Sequence, residues 1–166
     1  MDAFLFSIAP NELENLMLDA YSLRDIEQAT QQHPHIDLGE LWRLLDQALT
    51  QHSPAQLNLH DVVYAEYPIS EHPKLKSVAR YNPAIHVIEL SQVLEQISSE
   101  DLHHYCQKHL VTSELEALLG DQHAQLDEAE LTLLLSQLKS FYHNAMQNNH
   151  AVVSLIAENI RPKHFI

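Results

Sequence analysis

Apolar side chains recur along this chain in two rhythms, and the switch between them marks out its elements. Residues 3–8, Ala-Phe-Leu-Phe-Ser-Ile, form a short, aromatic-rich apolar run that suits a strand, stopped by Pro10. Leu13, Leu16 and Met17 then recur at helical spacing behind Glu12 and Glu14, whose charges favour a helix start, so a helix is predicted over 11–21. A second short helix is predicted over 23–30, before the break at Gln31-Gln32-His33-Pro34. Asp37 and Glu40 have the spacing of a capping box, and Leu38, Leu41, Trp42, Leu45 and Leu49 continue as one apolar stripe to Thr50.

The pattern weakens over 51–81, where Pro54, Pro68 and Pro73 punctuate the chain and only Val62, Val63 and Tyr64 suggest a strand. This stretch is expected to be irregular. Residues 85–89 alternate as a half-buried strand would, and Ser91 is placed to cap a short helix ending near Ile97. Ser98, Glu100 and Asp101 open another helix carrying Leu102, Tyr105 and Cys106, and Thr112 opens one that Gly120 closes. The longest periodic run passes from Asp127 through Leu131, Leu134, Leu135, Leu138, Phe141, Tyr142 and Ala145, and Asn148-Asn149 ends it. Residues 151–157 are apolar and β-branched enough for a buried strand paired with the N-terminal one. These elements predict an α+β fold: a small mixed or antiparallel sheet that includes the N-terminal and C-terminal strands, covered by several helices with one long C-terminal helix.

A length of 166 residues, 45% of them hydrophobic, suits a single domain over 1–166. No apolar run approaches the roughly 20 residues that cross a bilayer, and the acidic start at Asp2 is unlike a secretory signal, so a cytoplasmic protein is expected. Cys106, the only cysteine, fits a reducing compartment. Charge changes the picture most. Nine Lys and Arg stand against twenty-three Asp and Glu, a formal net charge of -14. Nucleic acid and anionic membranes are therefore not expected as partners, and a basic protein is.

Candidate chemistry is sparse. Among thirteen histidines, His33 with His35 and His103-His104 with His109 are the sharpest local groups, but neither has the spacing of a helical metal pair, and no metal or other cofactor is expected. With two glycines there is no phosphate-cradling loop, and no Gly-x-Ser-x-Gly elbow surrounds any serine. No catalytic set is assigned, and a non-catalytic protein is expected. The stretch from His109 to Leu138 instead holds Glu114, Glu116, Asp121, Asp127, Glu128 and Glu130 without a single Lys or Arg. Unpaired like charges cost helix stability. These six residues are accordingly the candidate partner-binding set, with Tyr64, Tyr67 and Trp42 as anchors if exposed.

Several ordered motifs extend this reading: the strand and Leu-rich helix over 4–18, Ile36-Asp37-Leu38 leading to Leu41-Trp42, Leu45 and Leu49-Thr50, then Ile97 to Leu102, then Leu138-Lys139-Ser140-Phe141-Tyr142-His143-Asn144-Ala145. In order and spacing the chain resembles the YfbM-like family of bacterial proteins of unknown function. Two family positions depart, with Asp46 where relatives tend to carry histidine and Gln51 where they carry the closing glycine, and the family's Ile-Tyr-Pro and tryptophan signature is missing around 119–122. The resemblance implies an α+β fold and transfers no catalytic residue. By analogy with small acidic bacterial proteins that sit beside toxin genes, the expected function is that of an immunity protein that binds and blocks a secreted toxin domain. The alternative is an enzyme or small-molecule binder whose pocket is built from residues distant in sequence.

Overall fold

A computed structural model describes residues 2–19, 23–72, 77–109 and 128–157. Its centre is a five-stranded antiparallel sheet of order β2-β1-β5-β4-β3, built from β1 (Asp2–Ile8), β2 (His35–Asp37), β3 (Tyr67–His72), β4 (Ser77–Asn82) and β5 (Ala151–Ala157). The first and last described strands lie side by side, with seven paired positions from Asp2↔Ala157 to Ile8↔Ala151. Around the sheet stand α1 (Pro10–Asp19), α2 (Leu23–Gln32), α3 (Trp42–Gln51), the single turn α4 (Asp61–Tyr64), α5 (Ala84–Leu94), α6 (Ser99–His109) and the long α7 (Glu128–Gln147).

Successive residues of a strand point to opposite faces of its sheet. Ala3, Leu5, Val152 and Ile156 therefore join one apolar cluster, with Trp42, Leu45, Leu49, Val87, Leu90, Leu102, Leu138 and Tyr142 from the helices. Phe4, Phe6, Ile8, Val153 and Leu155 join another on the opposite face, with Leu13 and Ala29 of α1 and α2. Both faces are covered. This explains why β1 and β5 read as apolar runs broken only by the buried Ser7 and Ser154 after Asp2: neither has a solvent face to supply polar alternates.

Several expectations hold. The capping of α6 is reciprocal: Ser98 Oγ accepts the Asp101 N–H at 3.1 Å, and Asp101 Oδ2 accepts the Ser98 N–H at 3.0 Å. α7 ends as predicted, with Asn149 at φ +59°. The helix predicted over 112–120 lies outside the described residues.

Four expectations are corrected. Residues 62–64 form α4, not a strand, because the carbonyls of that lone turn are satisfied by distant side chains: Asn82 Nδ2 donates to the Asp61 carbonyl at 2.7 Å, the Tyr142 hydroxyl to that of Val62 at 2.6 Å, and Ser154 Oγ to that of Val63. Residues 85–89 belong to α5, which runs unbroken from Pro83 with Val87, Leu90, Ser91 and Leu94 buried at helical spacing; Ser91 lies inside the helix and caps nothing. The stretch 51–81 is not irregular throughout, since it contains β3 and most of β4: β4 pairs with the central β5 and β3 with β4, and this pairing outweighs weak local pattern. Asp37 ends β2 rather than opening α3: its Oδ1 accepts the Gly39 N–H at 2.8 Å, and a 3-10 turn over Gly39–Leu41, entered with Gly39 at φ +59°, precedes α3.

Candidate functional site

The polar chemistry that the structure brings together lies on either side of α4. Asn58 Oδ1 accepts the His60 N–H at 3.0 Å, a local turn that places His60 and Asp61 at consecutive positions facing two different clusters. Ala65 then leaves α4 at φ +64° and ψ 161°, a backbone region nearly confined to glycine that costs on the order of 1–3 kcal/mol. The turn is clamped. Arg80 Nε donates to the Ala65 carbonyl at 2.9 Å, Arg80 Nη2 donates to that of Glu66, and the Glu66 N–H donates to Asn82 Oδ1 at 2.9 Å. Asn82 is fully buried, so the position of Glu66 is set from inside the core.

On one side, His60 Nδ1 and Asp46 Oδ1 are 2.8 Å apart, and the His60 ring stacks on Tyr64 at a centroid distance of 4.1 Å. Tyr64 meets Trp42 edge-on, and the Arg43 guanidinium lies 5.2 Å from the Trp42 ring centroid. Arg43, Asp46, Gln47, Thr50, Gln51, His60 and Tyr64 line an open cleft of about 340 Å³. Burial pushes the Asp46 carboxyl up to about 6, against the opposing pull of the His60 imidazole. A carboxyl near 6 beside an imidazole can exchange protons around neutral pH.

On the other side, His86 in the first turn of α5 meets three carboxylates. Its Nε2 is 2.9 Å from Asp61 Oδ2 and 3.7 Å from Glu66 Oε2, and its Nδ1 is 3.4 Å from Glu89 Oε2. Asp61 and His86 are largely buried, whereas Glu66 and Glu89 open to solvent. Beside them, α5 presents Ile85, Glu89 and Gln92 at four- and three-residue steps, all exposed, with Ile85 at 71%. Tyr67 is also exposed and packs on Tyr81 at 5.5 Å.

A second, wider hollow of about 620 Å³ lies between β2 and α7, lined by His35, Asp37, Ser140, Phe141 and Asn144 among others. Burial raises the Asp37 carboxyl there.

Of the candidate partner-binding residues, Glu114, Glu116, Asp121 and Asp127 lie outside the described residues, as does the side chain of Glu128; Glu130 is exposed on the first turns of α7. Of the proposed anchors, Trp42 is buried and belongs to the core, Tyr64 is half-buried in the cleft, and Tyr67 is exposed. Among the histidine groups, His33 stacks on Phe6 and lies 3.7 Å from Glu12, and His103 Nε2 is 3.3 Å from Thr132 Oγ1. The side chain of His109 lies outside the described residues, and among those neither group gathers three ligands. Among the described residues, Asp61, Glu66 and His86 are the set that does. Sequence reasoning missed it because 25 positions separate Asp61 from His86 and no local spacing advertises the contact.

The model of the family described as "Domain of unknown function (DUF1877)" matches residues 1–155. The crystal structure of a protein of unknown function, YfbM from Escherichia coli, superimposes with a TM-score of 0.69 at 15% identity, covering 95% of this chain and 100% of that one. At that identity the likeness is one of fold. No curated protein matches the chain. With its model matched over nearly the whole chain and the YfbM fold reproduced, this protein belongs to the DUF1877, YfbM-like family.

Proposed function

We propose that this chain is a non-catalytic protein that binds a basic protein partner, in the manner of an immunity protein blocking a secreted toxin domain. The observation that supports this reading is the outer surface of α5 and the adjoining turn. There Ile85, 71% exposed, stands on the same helix face as Glu89, close in sequence to the His86 that gathers Glu66 and Asp61. An exposed aliphatic anchor rimmed by carboxylates matches the composition of an interface centre within a charged rim. No lysine or arginine occurs between Arg80 and Lys108, so α5 carries no cation of its own. Arg80 is engaged with the Ala65 and Glu66 carbonyls. Complementary fields of this kind raise association rates by one or more orders of magnitude at low salt. The acidic positions from Glu114 to Glu130 extend the same reading along the chain.

Its test is rescue of growth. Where a secreted toxin is encoded beside this gene, cells expressing it are expected to survive when the wild-type chain is co-expressed, and to lose that protection with the Ile85→Lys/Glu89→Lys double variant. Protection that is equal for both chains, or absent for both, contradicts the proposal.

A second reading, a small-molecule binder or an enzyme, is favoured by one observation: the Asp46–His60 pair in an open cleft with Tyr64 and Arg43 at hand. A carboxyl raised by burial and hydrogen-bonded to an imidazole suits general acid–base work. A ligand screened by thermal shift separates the two, since cleft binding is lost in Asp46→Ala and indifferent to Glu89→Lys.

A further inference from the structure

We propose that Asp61, Glu66 and His86 form a binding site for one divalent transition-metal cation, with Mn²⁺, Fe²⁺, Co²⁺ and Zn²⁺ as the chemical class. Three elements contribute one ligand atom each: Asp61 Oδ2 from α4, Glu66 Oε2 from the turn after it, and His86 Nε2 from α5, all within 4.8 Å of one another. Two metal–ligand bonds of about 2.1 Å opened by 90–120° separate their ligand atoms by about 3.0–3.6 Å. The observed separations from His86 Nε2, 2.9 Å to Asp61 and 3.7 Å to Glu66, bracket that span. The two distances from His86 Nε2 therefore suit a shared ion, and the solvent-open Glu66 side chain is the ligand left to adjust.

The chemistry of the set is selective. Two carboxylates and one imidazole supply oxygen and nitrogen donors of the kinds first-row divalent ions take, and three ligands leave further positions open. The surroundings match what a metal-bound imidazole needs. His86 presents Nε2 to the ligand side while its Nδ1 faces the Glu89 carboxylate at 3.4 Å, and such a carboxylate behind the ring fixes its orientation. Glu89 is thus a positioning residue. The site is also held rather than gathered on binding: His86 is 11% exposed and Asp61 18%, and the Glu66 backbone is tied to the buried Asn82. Pre-organised ligands lose little conformational freedom on coordination. This inference does not rest on the partner reading, because a metal can bind whether or not the α5 surface meets a protein.

The test uses the full-length chain, stripped with chelator and titrated with MnCl₂, with free Mn²⁺ counted by electron paramagnetic resonance. Manganese favours carboxylate oxygen, which keeps the other twelve of the thirteen histidines from dominating the signal. The wild-type chain takes up one ion per molecule and gains melting temperature with saturating metal. Glu66→Gln, at a solvent-open side chain, keeps the fold and weakens binding at least tenfold; His86→Gln does the same. Glu89→Gln lowers affinity by about 10-fold, as loss of an outer-shell partner does. Wild-type and Glu66→Gln chains that bind Mn²⁺ equally, or a wild-type chain that binds neither Mn²⁺ nor Zn²⁺, overturn the proposal. Repeating any partner capture in chelator separates the two ideas, since a complex that survives metal removal leaves the partner reading standing by itself.

Discussion

The Tyr142 hydroxyl donates to the Val62 carbonyl across 2.6 Å of fully buried space, though 80 positions of chain separate the two residues. This bond fastens the lone turn α4 to the long helix α7. It also holds in place the segment from which His60 and Asp61 face their two clusters, so the fold and the candidate site share one point of attachment.

Tyr142→Phe removes that donor while filling nearly the same space. An unsatisfied buried carbonyl costs about 1–3 kcal/mol. Thermal unfolding of the variant is expected about 2–10 °C below the wild type. Because α4 loses a tie, the same variant should show faster amide exchange at residues 61–65 than elsewhere in the helical layer. An unchanged melting temperature would show that α4 is held by its other contacts alone.

The cleft makes a pH prediction. Burial raises the Asp46 carboxyl from its ordinary 3.8 to about 6. A folded-state value above the unfolded one means that this group favours the native state most below pH 4, and that the advantage is lost as pH rises towards 6. Asp46→Asn, which cannot ionise, lacks this loss. The stability of the variant relative to wild type should therefore improve between pH 4 and 6 and stay level above pH 7. Carbon-detected NMR of the Asp46 carboxyl checks the cause directly, with a midpoint near 6 expected; a midpoint near 4 contradicts the account.

Cys106 gives a third prediction. It is 1% exposed, and burial pushes its thiol up to about 11. At neutral pH it is a core side chain and a poor nucleophile. Native protein should react with a thiol reagent only as fast as it opens, and protein in denaturant should react at once. Prompt labelling of the native chain would contradict the buried position.

Strand and helix identity were legible wherever local pattern and tertiary packing agree. Residues 3–8 and 151–157 show it best, since both faces of their sheet are covered and their apolar runs need no partner to be recognised. Ser98 and Asp101 show it for capping, a contact made within three residues. The failures share the opposite character. Val62 to Tyr64 have strand-like side chains, yet carbonyl acceptors met by Asn82, Tyr142 and Ser154 make the turn helical. Ile85 to Glu89 alternate, but Pro83 starts a helix whose buried side follows Val87, Leu90 and Leu94. The site was illegible for the same reason. His86 meets Asp61, and His60 meets Asp46, only after α5, α4 and α3 have been brought together, and nothing in the local spacing of these residues announces the pairing.

The exposed face of α5 yields the last prediction. Ile85 and Glu89 contribute little to folding, so replacing both with lysine should alter stability by no more than about 0.5 kcal/mol. Their effect on association is expected to be large. The most direct measurement takes any secreted toxin found to be encoded beside this gene and determines the dissociation constant of its complex with this chain at two salt concentrations. The account predicts tight one-to-one binding that weakens with added salt, and at least a hundredfold loss in Ile85→Lys/Glu89→Lys with the melting temperature unchanged. Binding that is indifferent both to salt and to this double variant would contradict it.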